Sequence, residues 1–193
     1  MTLAPGDAVF VDLNGDGVLN GDDATRDIGF TDIPEYTAGL NLGFSWKNFD
    51  FSMQWTGAWN VDRMLSEFRR PLGDTNSKAL LLYQYETTWR SSEDTFTAKF
   101  PRASNSHASN NYRGTDLYLI NASYLRLKNV EIGYNFDFPF MKKMKLDNCR
   151  LYINGYNLLT ITGFDWGDPE SRQSDRPNYP LTRVFNIGLK VGF

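Results

Sequence analysis

The closing stretch Arg183–Phe193, R-V-F-N-I-G-L-K-V-G-F, changes character at every residue. Phe185, Ile187, Leu189, Val191 and Phe193 share one side of an extended chain, and Asn186, Gly188, Lys190 and Gly192 share the other. Successive side chains of a strand point to opposite faces, so the alternation dictates a ribbon with one apolar face and one wet face. A half-buried strand of a water-soluble sheet reads the same way, so the pattern sets the backbone and leaves the solvent open. Two features tilt the reading toward a membrane: the stretch closes on an aromatic residue, and the same alternation recurs upstream. Segments of about 10 residues, apolar toward lipid and polar toward a lumen, are the signature of transmembrane β-barrels.

Composition narrows the classes. Aromatic residues make up 15% of the chain, with 14 Phe, 10 Tyr and 5 Trp, which suits the aromatic girdles of a barrel. Mean hydropathy is −0.46, and no run of about 18 apolar residues occurs, so a membrane-spanning helix is excluded. A barrel stays open, because half of each lumen-lining strand is polar. With 20 basic and 23 acidic residues the net charge is −3, which provides no basic field for nucleic acid. The single cysteine, Cys149, cannot form an internal disulfide and says nothing of redox compartment. Met1–Gly6 lacks the basic and long apolar regions of a signal peptide, so an exported protein would need a further N-terminal portion.

The first segment, residues 1–35, is a loop rich in Asp, Asn and Gly. Within it Asp12–Asp23, D-L-N-G-D-G-V-L-N-G-D-D, has the spacing of a twelve-residue calcium loop of the EF-hand kind. Asp12, Asn14, Asp16, Asn20 and Asp23 supply side-chain oxygens, Val18 supplies a backbone carbonyl, and Gly17 stands where the chain must turn. A hard cation needs this convergence of oxygens. The alternative is an Asx-rich turn that satisfies its own backbone. Asp rather than Glu at the twelfth place weakens bidentate ligation, and no helical pattern precedes Asp12, so a full helix–loop–helix hand is not expected.

From Tyr36 the period becomes two. Tyr36, Ala38, Leu40, Leu42, Phe44 and Trp46 alternate with polar or small residues, and after Lys47-Asn48 so do Phe49, Phe51, Met53, Trp55 and Trp59. Two strands of opposite phase across a tight connection predict a hairpin over 36–59. Residues 60–121 form a long polar loop, with a helical pattern over Ser77–Trp89 and the only histidine, His107, in a Ser/Asn-rich run. A strand follows over 122–136. Leu125 and Leu127 lie on one face, but Val130, Ile132 and Tyr134 have the opposite parity, so a bulge is predicted near Lys128-Asn129. Phe138–Lys145 reads as a basic, amphipathic turn. Further strands are predicted over 149–162 and 183–193, separated by a second long loop that carries Asp165, Trp166, Asp168, Glu170, Arg172 and Asp175. Long and short connections alternate, so all the long ones gather at one end of the sheet, as in outer-membrane barrels with short periplasmic turns and long external loops.

Three stretches with the closing strand carry a resemblance: Asp12–Asn20, Ala122–Tyr134 (A-S-Y-L-R-L-K-N-V-E-I-G-Y) and Asn148–Thr160 (N-C-R-L-Y-I-N-G-Y-N-L-L-T). Together they resemble the C-terminal end of the SusC/RagA family of TonB-linked outer-membrane transporters from Bacteroidetes. The resemblance implies an all-β, antiparallel transmembrane β-barrel segment with long external loops, the last five strands of a 22-stranded plugged barrel. It implies import of oligosaccharides or peptides across the outer membrane beneath a SusD-like surface lipoprotein, powered by TonB through an N-terminal part and a plug domain that this sequence lacks. The strands would meet outer-membrane lipid. Five strands leave two open edges, which lipid does not tolerate, so the chain reads as a fragment. The calcium-like loop would lie outside the cell and stiffen a loop near the lid.

Other classes compete. A secreted calcium-binding, β-rich glycan-binding module could use Trp55, Trp59 and Trp166 as sugar platforms. A dockerin would carry a second copy of the Asp12–Asp23 loop with helices following, and a period-two strand follows here instead. A glycosidase would need a carboxylate pair. Asp165, Asp168 and Glu170 are dense enough to suggest one but lack a framing motif, and no nucleophile elbow occurs, so no enzyme is expected. Trp166, Asp168 and Arg172 are candidates for ligand contact by location and chemistry, against a plain solvated loop.

Overall fold

The computed structural model describes residues 3–65, 82–94, 96–104, 108–137, 139, 146–171 and 181–193. The chain forms two compact units, one of residues 1–29, 63–120 and 173–176, the other of residues 30–62, 121–172 and 177–193. Among the described residues no helix is long and apolar enough to cross a membrane.

The second unit is built on an antiparallel sheet. Its strands are β1 (Tyr36–Trp46), β2 (Phe49–Trp59), β5 (Tyr124–Phe136), β6 (Asn148–Thr162) and β7 (Val184–Gly192), in the spatial order β1-β2-β5-β6-β7. Two three-residue strands, β3 (Asp62–Met64) and β4 (Leu119–Asn121), pair separately. The expected hairpin is present: Trp46 pairs with Phe49, leaving Lys47-Asn48 as the turn, with Lys47 at a left-handed φ of 54°. β2 pairs with β5 across the stretch that holds β3 and β4, and all four ladders of the sheet are antiparallel.

The register sorts side chains by chemistry across most of the sheet. One row runs Phe44–Phe51–Ile132–Ile153–Ile187, and the next runs Trp46–Phe49–Tyr134–Leu151–Leu189. The opposite face carries the rows Ser45–Asp50–Gly133–Tyr152–Gly188 and Gly43–Ser52–Glu131–Asn154–Asn186. The apolar rows stand in the open: Phe44 is 62% exposed, Ile153 53% and Ile187 76%. Aromatic rings pair along this face, with Phe44 and Phe51 at 5.2 Å and Phe49 and Tyr134 at 4.7 Å. Cross-strand aromatic pairs of this kind stabilise a sheet by about 0.2–1 kcal/mol each.

The predicted bulge lies where the parity changes. Asn129 pairs with Gln54 and Leu127 with Trp55, so Lys128 has no opposite number on β2. The ladder to β6 shifts at the same place, between Leu127 and Asn129, where Asn157 adopts a φ of 53°. One extra residue flips the parity of everything beyond it. Here it places Leu125 and Leu127 on the same face as Val130 and Ile132.

The first unit packs around a buried polar centre. The Asp7 carboxylate, fully inaccessible, accepts from Arg102 Nε at 2.6 Å and from Asn111 Nδ2 at 2.9 Å. Asn111 Oδ1 accepts from Ala8 N at 3.0 Å, and the Tyr118 hydroxyl donates to the Asn111 carbonyl at 2.6 Å. Phe100 stacks on Tyr118 with ring centroids 5.6 Å apart. The loop expected over 60–121 therefore contains ordered pieces, including α1 (Leu82–Thr87) and α2 (Ala108–Asn111). Helix α1 ends before Trp89, the end of the predicted pattern, because Thr88 bridges to Phe100 in extended pairing. The earlier part of that pattern, His107, the basic turn at 138 and 140–145, and Arg172 and Asp175 lie outside the described residues.

Deleting Lys128 removes the extra residue and turns Tyr124–Leu127 over, sending Leu125 and Leu127 to the polar face and Arg126 to the apolar one. The deletion is expected to abolish the native sheet, read as lost strand circular dichroism, whereas Lys128→Ala stays within about 0.5 kcal/mol of the unaltered protein. A deletion variant with native strand content overturns this account of the register.

Candidate functional site

The polar face of the five-stranded sheet gathers charged side chains from β2, β5 and β6 and from the loop after β6. Two clusters lie on it, one toward each end of the strands.

The first is centred on Arg150 of β6. Its Nη2 donates to Glu131 Oε1 of β5 at 2.7 Å and makes a short ion pair with Asp50 of β2, while its Nε reaches Asp50 Oδ2 at 3.0 Å. Asn135 Nδ2 adds a bond to Asp50 Oδ2 at 3.1 Å. Arg150 thus spans three strands, and Gly133 is what lets it do so. A Cβ built on Gly133 would collide with the guanidinium. The Tyr152 ring stands 5.2 Å from the same guanidinium carbon and lies over Gly188 of β7, where a side chain would clash with it. The network continues through Asn154, which donates to Glu131 Oε2 at 3.3 Å and accepts from Asn186 Nδ2 at 2.9 Å.

The second cluster is centred on Arg126 of β5, which is 2% exposed. Its Nη2 straddles the Asp168 carboxylate at 2.9 and 3.0 Å, its Nη1 donates to Glu170 Oε2 at 2.7 Å, and its Nε donates to Thr160 Oγ1 at 3.0 Å. The Tyr124 hydroxyl donates to Glu170 Oε1 at 2.7 Å, and Lys128 Nζ stands 3.5 Å from the same oxygen. Charge-assisted bonds of this length are about twice as strong as neutral ones. Thr56 Oγ1, on the residue opposite Arg126, and Asn129 Oδ1 are buried on this face with no hydrogen-bond partner.

Asp168, expected as a ligand contact, is therefore engaged by Arg126, and Trp166 stands half-buried two residues before it. Of the carboxylates weighed for a glycosidase, Asp165, Asp168 and Glu170, the last two share one guanidinium. Arg126 was not singled out from the sequence. It reads as one polar residue of an alternating strand, and its partners lie 42 and 44 residues away.

In the first unit, the loop Asp12–Asp23 is closed by its own side chains. Asp12 accepts from Gly15 N and Gly17 N, both at 2.7 Å, and Asp16 Oδ1 accepts from Val18 N at 2.7 Å. Asn14 Nδ2 donates to Asp16 Oδ2 at 3.1 Å. Asp23 accepts from Leu13 N and Asn20 N at 2.9 Å each, and Asn20 caps the following turn through Asp22 N. The N–H of Asn20, then those of Leu13 and Asn14, hold the Asp23 carboxyl below its ordinary range. Gly15 and Gly17 have φ of 76° and 80°, where the turn requires glycine. The donor set is all hard oxygen, as calcium requires. As folded, the carboxylates face the loop backbone, and among the described residues no three His, Cys, Asp or Glu side chains are gathered closely enough to hold a metal.

No family model matches the chain. It is similar to TonB-dependent receptor P3 of Formosa agariphila, 31% identical over 98% of this chain and 19% of that protein. It is similar to TonB-dependent receptor SusC of Bacteroides thetaiotaomicron, 25% identical over 98% of this chain and 18% of that protein. The chain thus spans about a fifth of the length of the curated relatives it matches. Among solved structures, the RagAB peptide transporter superposes with a TM-score of 0.68 over 91% of this chain and 19% of the other, at 21% identity.

Gly133→Ala is expected to push Arg150 off Asp50 and cost about 0.5–2 kcal/mol. Gly43→Ala, on the same face with its nearest neighbour 3.5 Å away, should be tolerated. In an Arg150→Met background the Gly133→Ala cost should vanish, measured as unfolding midpoints in a double-mutant cycle. Additive costs would refute the close approach as the reason for this glycine.

Proposed function

The chain belongs to the SusC/RagA family of TonB-dependent receptors, and we propose that it forms part of the wall and outer loops of an outer-membrane importer. The observation that carries the reading is the separation of faces on the five-stranded sheet. A soluble protein would cover an apolar face this wide with a second layer, and a barrel in lipid leaves it bare. The other face, with Arg150, Asp50, Glu131, Asn154 and Arg126, would look into a wet lumen. Both outer edges, on β1 and β7, would pair with further strands of a larger barrel, since an open edge is not stable in hydrocarbon.

On this reading the sheet is the closing five strands of a 22-stranded plugged barrel. The end carrying the long connections faces outward, where a SusD-like lipoprotein would sit as a lid, and TonB would act through a part of the receptor outside this chain. The cargo is an oligosaccharide or a peptide, and the segment acts without catalysis. The aromatic and acidic residues of the loop after β6, Trp166 and Asp168, with Arg172, would stand beside the cargo path.

We propose also that Asp12–Asp23 takes up a structural calcium ion through Asp12, Asn14, Asp16, the Val18 carbonyl, Asn20 and Asp23. Each carboxylate oxygen that accepts one backbone N–H keeps a second lone pair, so loop closure and cation binding can share the same atoms.

Ile153→Lys, in the middle of the apolar face, should cost about 2–4 kcal/mol in a lipid-embedded receptor, and Asn154→Lys on the facing side much less. Unfolding in vesicles measures both, and equal costs would refute the assignment of faces. Calcium titration calorimetry on the intact receptor should show a binding event with a Kd of about 10⁻⁴–10⁻³ M, the range of extracellular modules. Asp12→Ala combined with Asp16→Ala should remove it. No heat from the unaltered receptor would rule the ion out.

A further inference from the structure

We infer that Arg126 is a positioning residue, a latch that holds the segment Gly163–Ser171, and Trp166 with it, against the polar face of the sheet. The inference rests on the reading of that face as the inside of a transport barrel. Three hydrogen bonds that shape the segment are local: Phe164 N to Thr162 Oγ1 at 3.1 Å, Glu170 N to Asp168 Oδ1 at 2.8 Å, and Ser171 N to the Asp168 carbonyl at 2.9 Å. They turn the chain but do not say where it rests. Phe164 is buried at 9% exposure, and such an apolar contact carries no direction.

Direction comes from side chains of β5 that reach the segment's acids: the Tyr124 hydroxyl, 2.7 Å from Glu170 Oε1, and, holding both acids, the Arg126 guanidinium. It is a planar fork of five donors, and here its two arms clasp the carboxylates of Asp168 and Glu170 while Nε is held by Thr160 of β6. The neighbouring strand thereby fixes the fork, and the fork fixes the loop. Arg126 is covered, at 2% exposure, so it cannot stay under the segment unpaired: a buried charge without its partner is strongly destabilising. Two arrangements follow. In one the acids are clasped and Arg126 is dry; in the other the segment lifts and all three charges are hydrated. Lys128, 44% exposed at the rim and 3.5 Å from Glu170, attracts the acidic segment back toward the wall.

Hydrogen exchange read by mass spectrometry on the intact receptor in detergent tests the latch. Arg126→Met, and separately Asp168→Asn with Glu170→Gln, should each speed exchange of amides 163–171 by roughly tenfold or more while β5 and β6 stay protected. Arg126→Lys should fall between, since one ammonium cannot fork two carboxylates. Unchanged exchange of 163–171 in both variants would overturn the latch and assign the segment's position to Phe164. Loss of protection throughout β5 and β6 would overturn it too, making Arg126 a residue of strand stability. Exchange reports on the latch whether or not the receptor transports, and cargo uptake by the unaltered receptor tests the transport reading separately.

Discussion

Everything on the sheet depends on register. Five strands pair so that most cross-strand rows are either apolar or polar, and a slip of one residue at any ladder would mix the two. The bulge at Lys128 is the point where this is most visible. Strand β5 changes the parity of its apolar residues midway, and the one unpaired residue restores both faces on both sides of the change. Backbone hydrogen bonds make the sheet, but it is the segregation of faces that selects one ladder alignment among many.

That segregation creates the electrostatic problem that the polar face then solves. Acidic and basic side chains brought onto one surface by alternation must be paired or hydrated. Arg150 reaches over Gly133 to Asp50 and Glu131, and Arg126 reaches out to Asp168 and Glu170. The two solutions differ in consequence. The Arg150 cluster joins three strands and stiffens the wall, while the Arg126 cluster joins the wall to a loop and so decides where that loop rests. The first unit repeats the theme in another form, with the buried Asp7 carboxylate gathering Arg102 and Asn111 from a distant part of the chain.

Much of the sheet was legible in the linear pattern, and the reason is physical. A period of two is a local property, so the hairpin at Lys47-Asn48, the strands and the bulge at Lys128 could each be located from a few neighbouring residues. The turn chemistry of Asp12–Asp23 was legible for the same reason, since its Asx contacts span only a few positions. The partners of Arg126 and Arg150 were not. Asp50 lies 100 residues from Arg150, and nothing local distinguishes a polar residue that will be clasped from one that will be hydrated. Asp168 read as a free acid on a loop for that reason. The polar segment after Asn60 showed only a short helical pattern over Ser77–Trp89, because contacts such as those of Asn111 with Asp7 and Tyr118 join residues with no shared periodicity.

Alternation along an extended backbone was enough to set the five long strands and the character of their two faces, because it is a property of neighbouring residues. The sequence also determined that long and short connections gather at opposite ends, because strands joined in antiparallel succession must alternate. Which strands pair beyond the hairpin, that Arg126 is buried beneath an acidic loop, and that Gly133 is a gap crossed by a guanidinium emerge first in the folded chain. Those are contacts between residues far apart in the chain, and their energies exist only once the ladders have brought them within hydrogen-bonding distance.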